Sequence, residues 1–88
     1  MKKLDDLRKQ IDECDTQLLQ ILSKRLHIVA EVGTLKKSLN IPPFDSARWT
    51  LVVENRLKKG NDLGLRGEFV KSILDTIHKE ALQIEEKI

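Results

Sequence analysis

Aromatic side chains are nearly missing from this chain: they make up 3% of residues, with no tyrosine, one tryptophan and two phenylalanines. That leaves little surface on which nucleic-acid bases could stack. Charge of one sign is also lacking, since 16 Lys and Arg are interspersed with 14 Asp and Glu for a net charge of +2. With no polybasic tract, nucleic-acid binding is disfavoured. No apolar run approaches the roughly 20 residues of a transmembrane helix. The N-terminal MKKLDDLRKQ is basic but has no apolar stretch behind it, so neither a signal peptide nor a membrane association is expected. The single cysteine, Cys14, excludes an internal disulfide and fits a reducing compartment, with the cytoplasm as default. No glycine-rich phosphate loop is present, because Gly60 to Gly67 carries no nucleotide or dinucleotide pattern. Cys14, His27 and His78 lack the short spacings of a zinc site. Cys14 reads as a helix-seam residue, the histidines as surface or packing residues, and no metal or cofactor is expected.

What is present is helical periodicity. Leu4, Leu7, Ile11, Cys14, Leu18, Ile21, Arg25, Ile28, Val32, Leu35 and Leu39 recur in an unbroken alternation of threes and fours. That is one face of a long helix, expected from about residue 3 to 39. Leu19, Leu22, Leu26 and Val29 widen the stripe, so the helix should meet more than one neighbour. Gly33 lies inside it at a cost of about 1 kcal/mol relative to Ala, which a helix this long can absorb. Pro42 and Pro43 then end the helix and force an extended link. Asp45 or Ser46 caps a second helix, expected to about residue 59, with Leu51, Val52 and Leu57 apolar. Gly60-Asn61-Asp62-Leu63-Gly64 reads as a loop. A third helix is expected over about residues 67–86, its apolar face running from Phe69 and Val70 through Ile73, Leu74, Ile77 and Ala81 to Ile84 and Ile88. Residues 1–88 thus form a single all-α domain of three helices, long, short and medium. Helices two and three do not suit a DNA-binding helix-turn-helix, because the expected loop is long and helix three mixes Glu68 and Asp75 with Lys71.

Size points to a second chain, the alternative being an extended helix in a larger fusion or hetero-assembly. A 37-residue helix is roughly 55 Å long, whereas a compact globule of this length has a radius of gyration of only about 12 Å. The helix overruns any such globule while staying apolar to both ends. A second copy related by a two-fold axis is the expected cover, giving a homodimer.

Arg25 is the residue that this apolar seam does not explain. An unpaired guanidinium buried there is very costly, so it faces either a partner acid or an anionic ligand inside the bundle. Lys36 favours the ligand: it lies three turns on, about 16 Å along the axis and nearly in the same direction. Between two long basic side chains at that spacing a small dianion fits. Arg8 lies about 25 Å before Arg25 on the same helix. It is too far to share a small ligand within one chain, but it could reach the site of a partner across the two-fold. Asp45 and Arg48 open helix two beside this region, and Glu85 lies on the edge of the apolar face of helix three.

This ordered set resembles the all-helical class of chorismate mutases along essentially the whole chain. The stretches that carry the resemblance are Leu7-Arg8-Lys9-Gln10-Ile11-Asp12 with Asp15 and Leu18-Leu19, then Arg25 with Val29-Ala30-Glu31-Val32-Gly33 and Lys36, then Asp45-Ser46-Ala47-Arg48. The resemblance implies an intertwined six-helix homodimer with two equivalent sites. It implies that Arg8 of one chain and Arg25 of the other bind the two carboxylates of chorismate, assisted by Arg48. Lys36 would face the ether oxygen of the breaking bond, and Asp45 would sit near the ring hydroxyl. Three positions depart from the bacterial pattern. Trp49 stands where that pattern has a glutamate for the ring hydroxyl, Ala81 where it has a serine near the substrate, and Glu85 where it has a glutamine for the ether oxygen. Fungal members resemble this chain at Glu85, with a glutamate that acts protonated. The implied activity is conversion of chorismate to prephenate in phenylalanine and tyrosine biosynthesis, an isomerase reaction, with a shikimate-pathway enzyme as a possible partner. The same scaffold also admits an isochorismate–pyruvate lyase or an amino-chorismate mutase. From another class, a non-catalytic helical module for dimerisation or ligand sensing would share the fold.

Overall fold

A computed structural model describes all 88 residues and contains three helices: α1 (Lys2–Ser38), α2 (Ser46–Asp62) and α3 (Gly67–Glu86). No helix is long and apolar enough to cross a membrane. The expected limits hold at both ends of α3 and within a residue at both ends of α1. The end of α2 does not hold: it runs on to Asp62, and the link to α3 is only Leu63 to Arg66. Loop length therefore gives no argument against a helix-turn-helix, and only the mixed charge of α3 speaks against one.

The two stretches read as helix terminators work differently from expectation. α1 ends before its prolines, where Asn40 adopts a left-handed φ of 58° and the Ile41 N–H donates to the Lys36 carbonyl at 2.9 Å. Gly64, at φ 80°, does the same for α2, with Leu65 N–H donating to the Gly60 carbonyl at 2.9 Å. Both are Schellman closures, which need a residue that tolerates positive φ. Gly60 is not part of the turn. It is buried within α2, and a Cβ there would stand 2.8 Å from Val70 Cγ2. Its missing side chain lets α2 and α3 approach. At the other end of α2, Asp45 is the N-cap, its Oδ1 accepting from the Arg48 N–H at 2.9 Å.

α3 packs against both α1 and α2, which do not pack directly on each other. The contact between α1 and α3 depends on Gly33. A Cβ there would lie 2.8 Å from Ile88 Cδ1 and 3.2 Å from the Glu85 Cα. The helix-propensity penalty at Gly33 is thus offset by close approach of the two backbones.

The N-terminal half of α1 stands away from the other helices, with every residue from Lys2 to Ile21 exposed. The molecule measures 57 × 24 × 15 Å, and its radius of gyration of 16.4 Å exceeds that of a compact chain of this length. Only 6 of 88 residues are buried, and no large side chain is fully enclosed. Leu7, Ile11, Leu18 and Ile21 on α1, Leu51 on α2, and Phe69 and Ile73 on α3 all lie open to solvent. The accessible surface is 7301 Å², about 2,000 Å² more than a compact monomer of this mass exposes.

Candidate active site

A cleft of about 170 Å³ opens where the C-terminal half of α1, the start of α2 and the C-terminal half of α3 face one another. α1 lines it with Arg25, Val29, Val32 and Lys36; the linker and α2 contribute Pro43, Asp45, Arg48, Trp49 and Val52; α3 contributes His78, Ala81 and Glu85. Of the residues singled out in the sequence, Arg25, Lys36, Asp45, Arg48, Trp49, Ala81 and Glu85 all converge here. Arg8 does not; it lies on the exposed, projecting part of α1. A wider hollow of about 660 Å³ between α2 and α3 contains none of them and is lined by surface polar side chains such as Glu68, Lys71, Asp75 and Lys79.

Each element places its residues for a local reason. On α1, the steps from Arg25 to Val29, Val32 and Lys36 are four, three and four, so one helix face carries both cations with an apolar floor between them. The Schellman closure at Asn40 turns the chain so that Lys36 Nζ donates to the Pro43 carbonyl at 2.7 Å. That bond ties the linker to α1 and brings the cap of α2 beside it. With its Oδ1 accepting from the Arg48 backbone, Asp45 starts α2 at the rim of the cleft. On α3, His78, Ala81 and Glu85 follow at three and four and face the same way.

Lys36 Nζ is 3.1 Å from Glu85 Oε1, and the carboxylate side chain is 8% exposed. Lys36 Nζ also donates to the Pro43 carbonyl, and the buried Glu85 Oε1 has this ionic neighbour but no aligned hydrogen bond. An acceptor in that condition is short of a hydrogen bond. Arg25 and Arg48 have no acid partner; the ion pairs of the molecule are Lys36–Glu85 and Lys71–Asp75. Burial, and after it the charges of Arg56 and then Arg48, hold the Arg25 guanidinium below its usual value. It remains a cation, because a guanidinium keeps its proton throughout the physiological range. A half-enclosed group of unpaired guanidiniums is favourable only when it meets an anion.

His78 and Arg56 were not candidates in the sequence. His78 stacks on Trp49 with ring centroids 3.8 Å apart and planes at 10°, and Phe44 leans on it, tilted, at 5.7 Å. The packing role expected of it holds, but it also lines the cleft. A signal was available, because His78 shares the three-and-four spacing of Ala81 and Glu85. Burial first, then the Arg25 charge, lower the His78 value; Asp75 and Glu85 oppose this and Lys71 adds to it. The imidazole is therefore neutral at pH 7.

The Gly33 contact bears on this geometry directly, since Glu85 Cγ would lie 3.1 Å from an added Cβ. Gly33→Ala has to push α3 outward and draw Glu85 away from Lys36. Overpacking of this kind costs about 1–3 kcal/mol, against about 1 kcal/mol gained in helix propensity. The expected result is a lower melting temperature together with a loss of turnover of about tenfold from misplacement. Unchanged melting and unchanged turnover would show that the contact is soft.

A family model described as chorismate mutase type II matches residues 7–86. A protein named T-protein from Enterobacter agglomerans is 34% identical over 83 residues, covering 94% of this chain and 22% of that protein. A 4-amino-4-deoxychorismate mutase from Streptomyces pristinaespiralis is 30% identical over 84 residues, 96% of this chain and 65% of that protein. A bifunctional chorismate mutase/prephenate dehydratase from Aquifex aeolicus is 29% identical over 92 residues, spanning 100% of this chain and 25% of that protein. The chain thus spans about a fifth to two thirds of the length of these relatives.

Proposed function

Because the chain belongs to the chorismate mutase type II family, we propose that it rearranges chorismate to prephenate. The observation that carries this reading is the convergence of Arg25, Lys36, Arg48 and Glu85 on one cleft with an apolar floor. The reaction is a Claisen rearrangement. The ether C–O bond breaks as a C–C bond forms within one molecule, so no nucleophile or proton relay is required. The substrate must be held folded, as a chair, with its reacting carbons close together. Arginines gripping both carboxylates supply that constraint, since guanidinium is always charged and binds carboxylate in bidentate fashion. As the C–O bond lengthens, negative charge grows on the ether oxygen. Lys36, fixed by the Pro43 carbonyl, is the group that meets that charge, with Glu85 beside it. Asp45, Trp49 and Ala81 complete the wall near the ring.

The proposal includes a homodimer. The exposed apolar face of α1, the scarcity of buried residues and the surplus surface of about 2,000 Å² are what an obligate interface covers. A two-fold axis across the middle of α1 lets Arg8 of the partner subunit close the open side of the cleft, adding the second carboxylate clamp. A place in phenylalanine and tyrosine synthesis in the cytoplasm follows from the same reading, as does partnership with another shikimate-pathway enzyme.

Incubating the purified chain with chorismate tests the reaction. Loss of chorismate with matching formation of prephenate is the expected outcome, and binding without turnover would instead support a sensing module. The relative named for 4-amino-4-deoxychorismate, together with Trp49 at the ring-facing position, favours a second reading in which the amino compound is preferred. Parallel assays with that compound, and with isochorismate for pyruvate release, decide among the three.

A further inference from the structure

The resemblance assigns the ring hydroxyl of the substrate to a glutamate, with Asp45 near it, and at the glutamate's position this chain has Trp49. An indole N–H is a donor only and cannot reproduce a carboxylate. The cleft nevertheless contains two buried polar atoms without a hydrogen-bond partner, and one of them, Glu85 Oε1, already has the Lys36 ammonium beside it. Nε2 of His78 is buried and has no hydrogen-bond partner. A buried imidazole nitrogen left unpaired is unfavourable, and His78 is one of the residues that line the cleft.

The surroundings hold the ring in one place. Trp49 lies flat against it at 3.8 Å, Phe44 leans on it at 5.7 Å, and Lys71 Nζ sits 5.9 Å from the Trp49 centroid. Trp49 is on α2 and His78 on α3, so the stack also braces the two helices across the cleft. The charged groups facing His78 are Arg25 on α1 and Asp75, Glu85 and Lys71 on α3, with Asp45 and Arg48 of α2 in the same cleft. Arg25 and Lys36 account for the anionic end and the ether oxygen of the proposed substrate. A neutral ring that can accept or donate is suited to the remaining polar feature, an uncharged hydroxyl or amino substituent on the ring.

We infer that His78, held flat against Trp49, contacts the ring substituent of the substrate through Nε2 and is the specificity-determining residue of this cleft. The inference rests on the chorismate reading of the site. Trp49 then acts as a positioning residue that orients the imidazole, in place of a direct polar contact.

The test compares wild type with His78→Phe, which keeps a flat ring against Trp49 and removes the nitrogen. With chorismate, His78→Phe should lower kcat/KM about tenfold, the scale of one lost hydrogen bond that leaves its partner buried. With an analogue lacking the ring hydroxyl, wild type and variant should be equal within about twofold, since that molecule has nothing for Nε2 to pair with. Equal losses on both substrates would make His78 a structural residue, and no loss on either would make it irrelevant; each overturns the inference. Failure of the wild type to rearrange chorismate overturns the functional reading itself, and is seen before any variant is made. Should His78→Phe not fold, the wild type labelled with ¹⁵N-histidine and titrated with prephenate gives an independent answer. The Nε2 resonance of His78 should shift while that of His27, exposed on α1, stays in place. An unmoved His78 resonance in the presence of bound prephenate rejects the contact.

Discussion

Lys36→Ala lowers kcat by about 10²–10³ while KM moves little, the pattern of a group that acts on charge present only in the transition state. The reason is the position of the ammonium. It is held at 2.7 Å by the Pro43 carbonyl and lies 3.1 Å from the Glu85 carboxylate, so it is fixed before substrate arrives and needs no reorganisation as charge develops. Lys37 is the natural control. It has the same charge one residue on, lies exposed, and donates to the Ile88 carbonyl, and Lys37→Ala should leave kcat within about twofold. Circular dichroism separates loss of chemistry from loss of fold, because Lys36→Ala also releases the linker. If kcat fell less than tenfold, or if the whole effect lay in KM, Lys36 would be only a binding residue. Glu85→Gln sharpens the assignment. Glutamine carries a permanent N–H donor in the same space, so activity near wild type supports donation by Glu85 in its protonated form, while a loss as deep as that of Lys36→Ala means its charge serves to hold the ammonium.

Arg8→Ala and Arg25→Ala should each cost about 10²–10³ in kcat/KM, since truncating one member of an enclosed charge pair leaves the carboxylate without its partner. Mixing the two inactive variants is the more telling measurement. In the proposed dimer each site takes Arg25 from one chain and Arg8 from the partner subunit. A heterodimer of the two variants then carries one doubly damaged site and one intact site. Unfolding and refolding an equal mixture should restore about a quarter of wild-type activity, because half of the dimers are mixed and half of their sites are whole. Activity that stays at the sum of the two variants would place both arginines in one chain's site, or Arg8 in none.

Much of this molecule could be read without coordinates because its signals are local. The alternation of threes and fours in α1 depends only on helix geometry, and Arg25 stood out as a charge among apolar neighbours on that stripe. The link from Arg25 to Lys36 came from helical spacing, that to Arg48 and Glu85 through resemblance, and the cleft brings them together. What escaped depends on contacts far along the chain. Gly60 looks like a turn residue until Val70 is seen against it. Gly33 looks like a tolerated blemish until Ile88 and Glu85 meet it. A lone histidine on a helix has no distinguishing pattern, and His78 becomes legible only when α2 delivers Trp49 to its face. Arg56 likewise shows its influence only through the field at Arg25.

One property of α1 has a mechanical side. The helix is uninterrupted from Lys2 to Ser38, and it carries Arg8 near one end and Arg25 and Lys36 toward the other. Under the dimeric reading it is a lever as well as a wall: one end completes a site that its other end does not touch. With about 25 Å between Arg8 and Arg25, a bend of roughly 5° midway displaces the far guanidinium by about 1 Å, enough to disturb a clamp. The straightness of the exposed middle of α1 is then a tolerance of the active site, and its two copies keep each other's calibration.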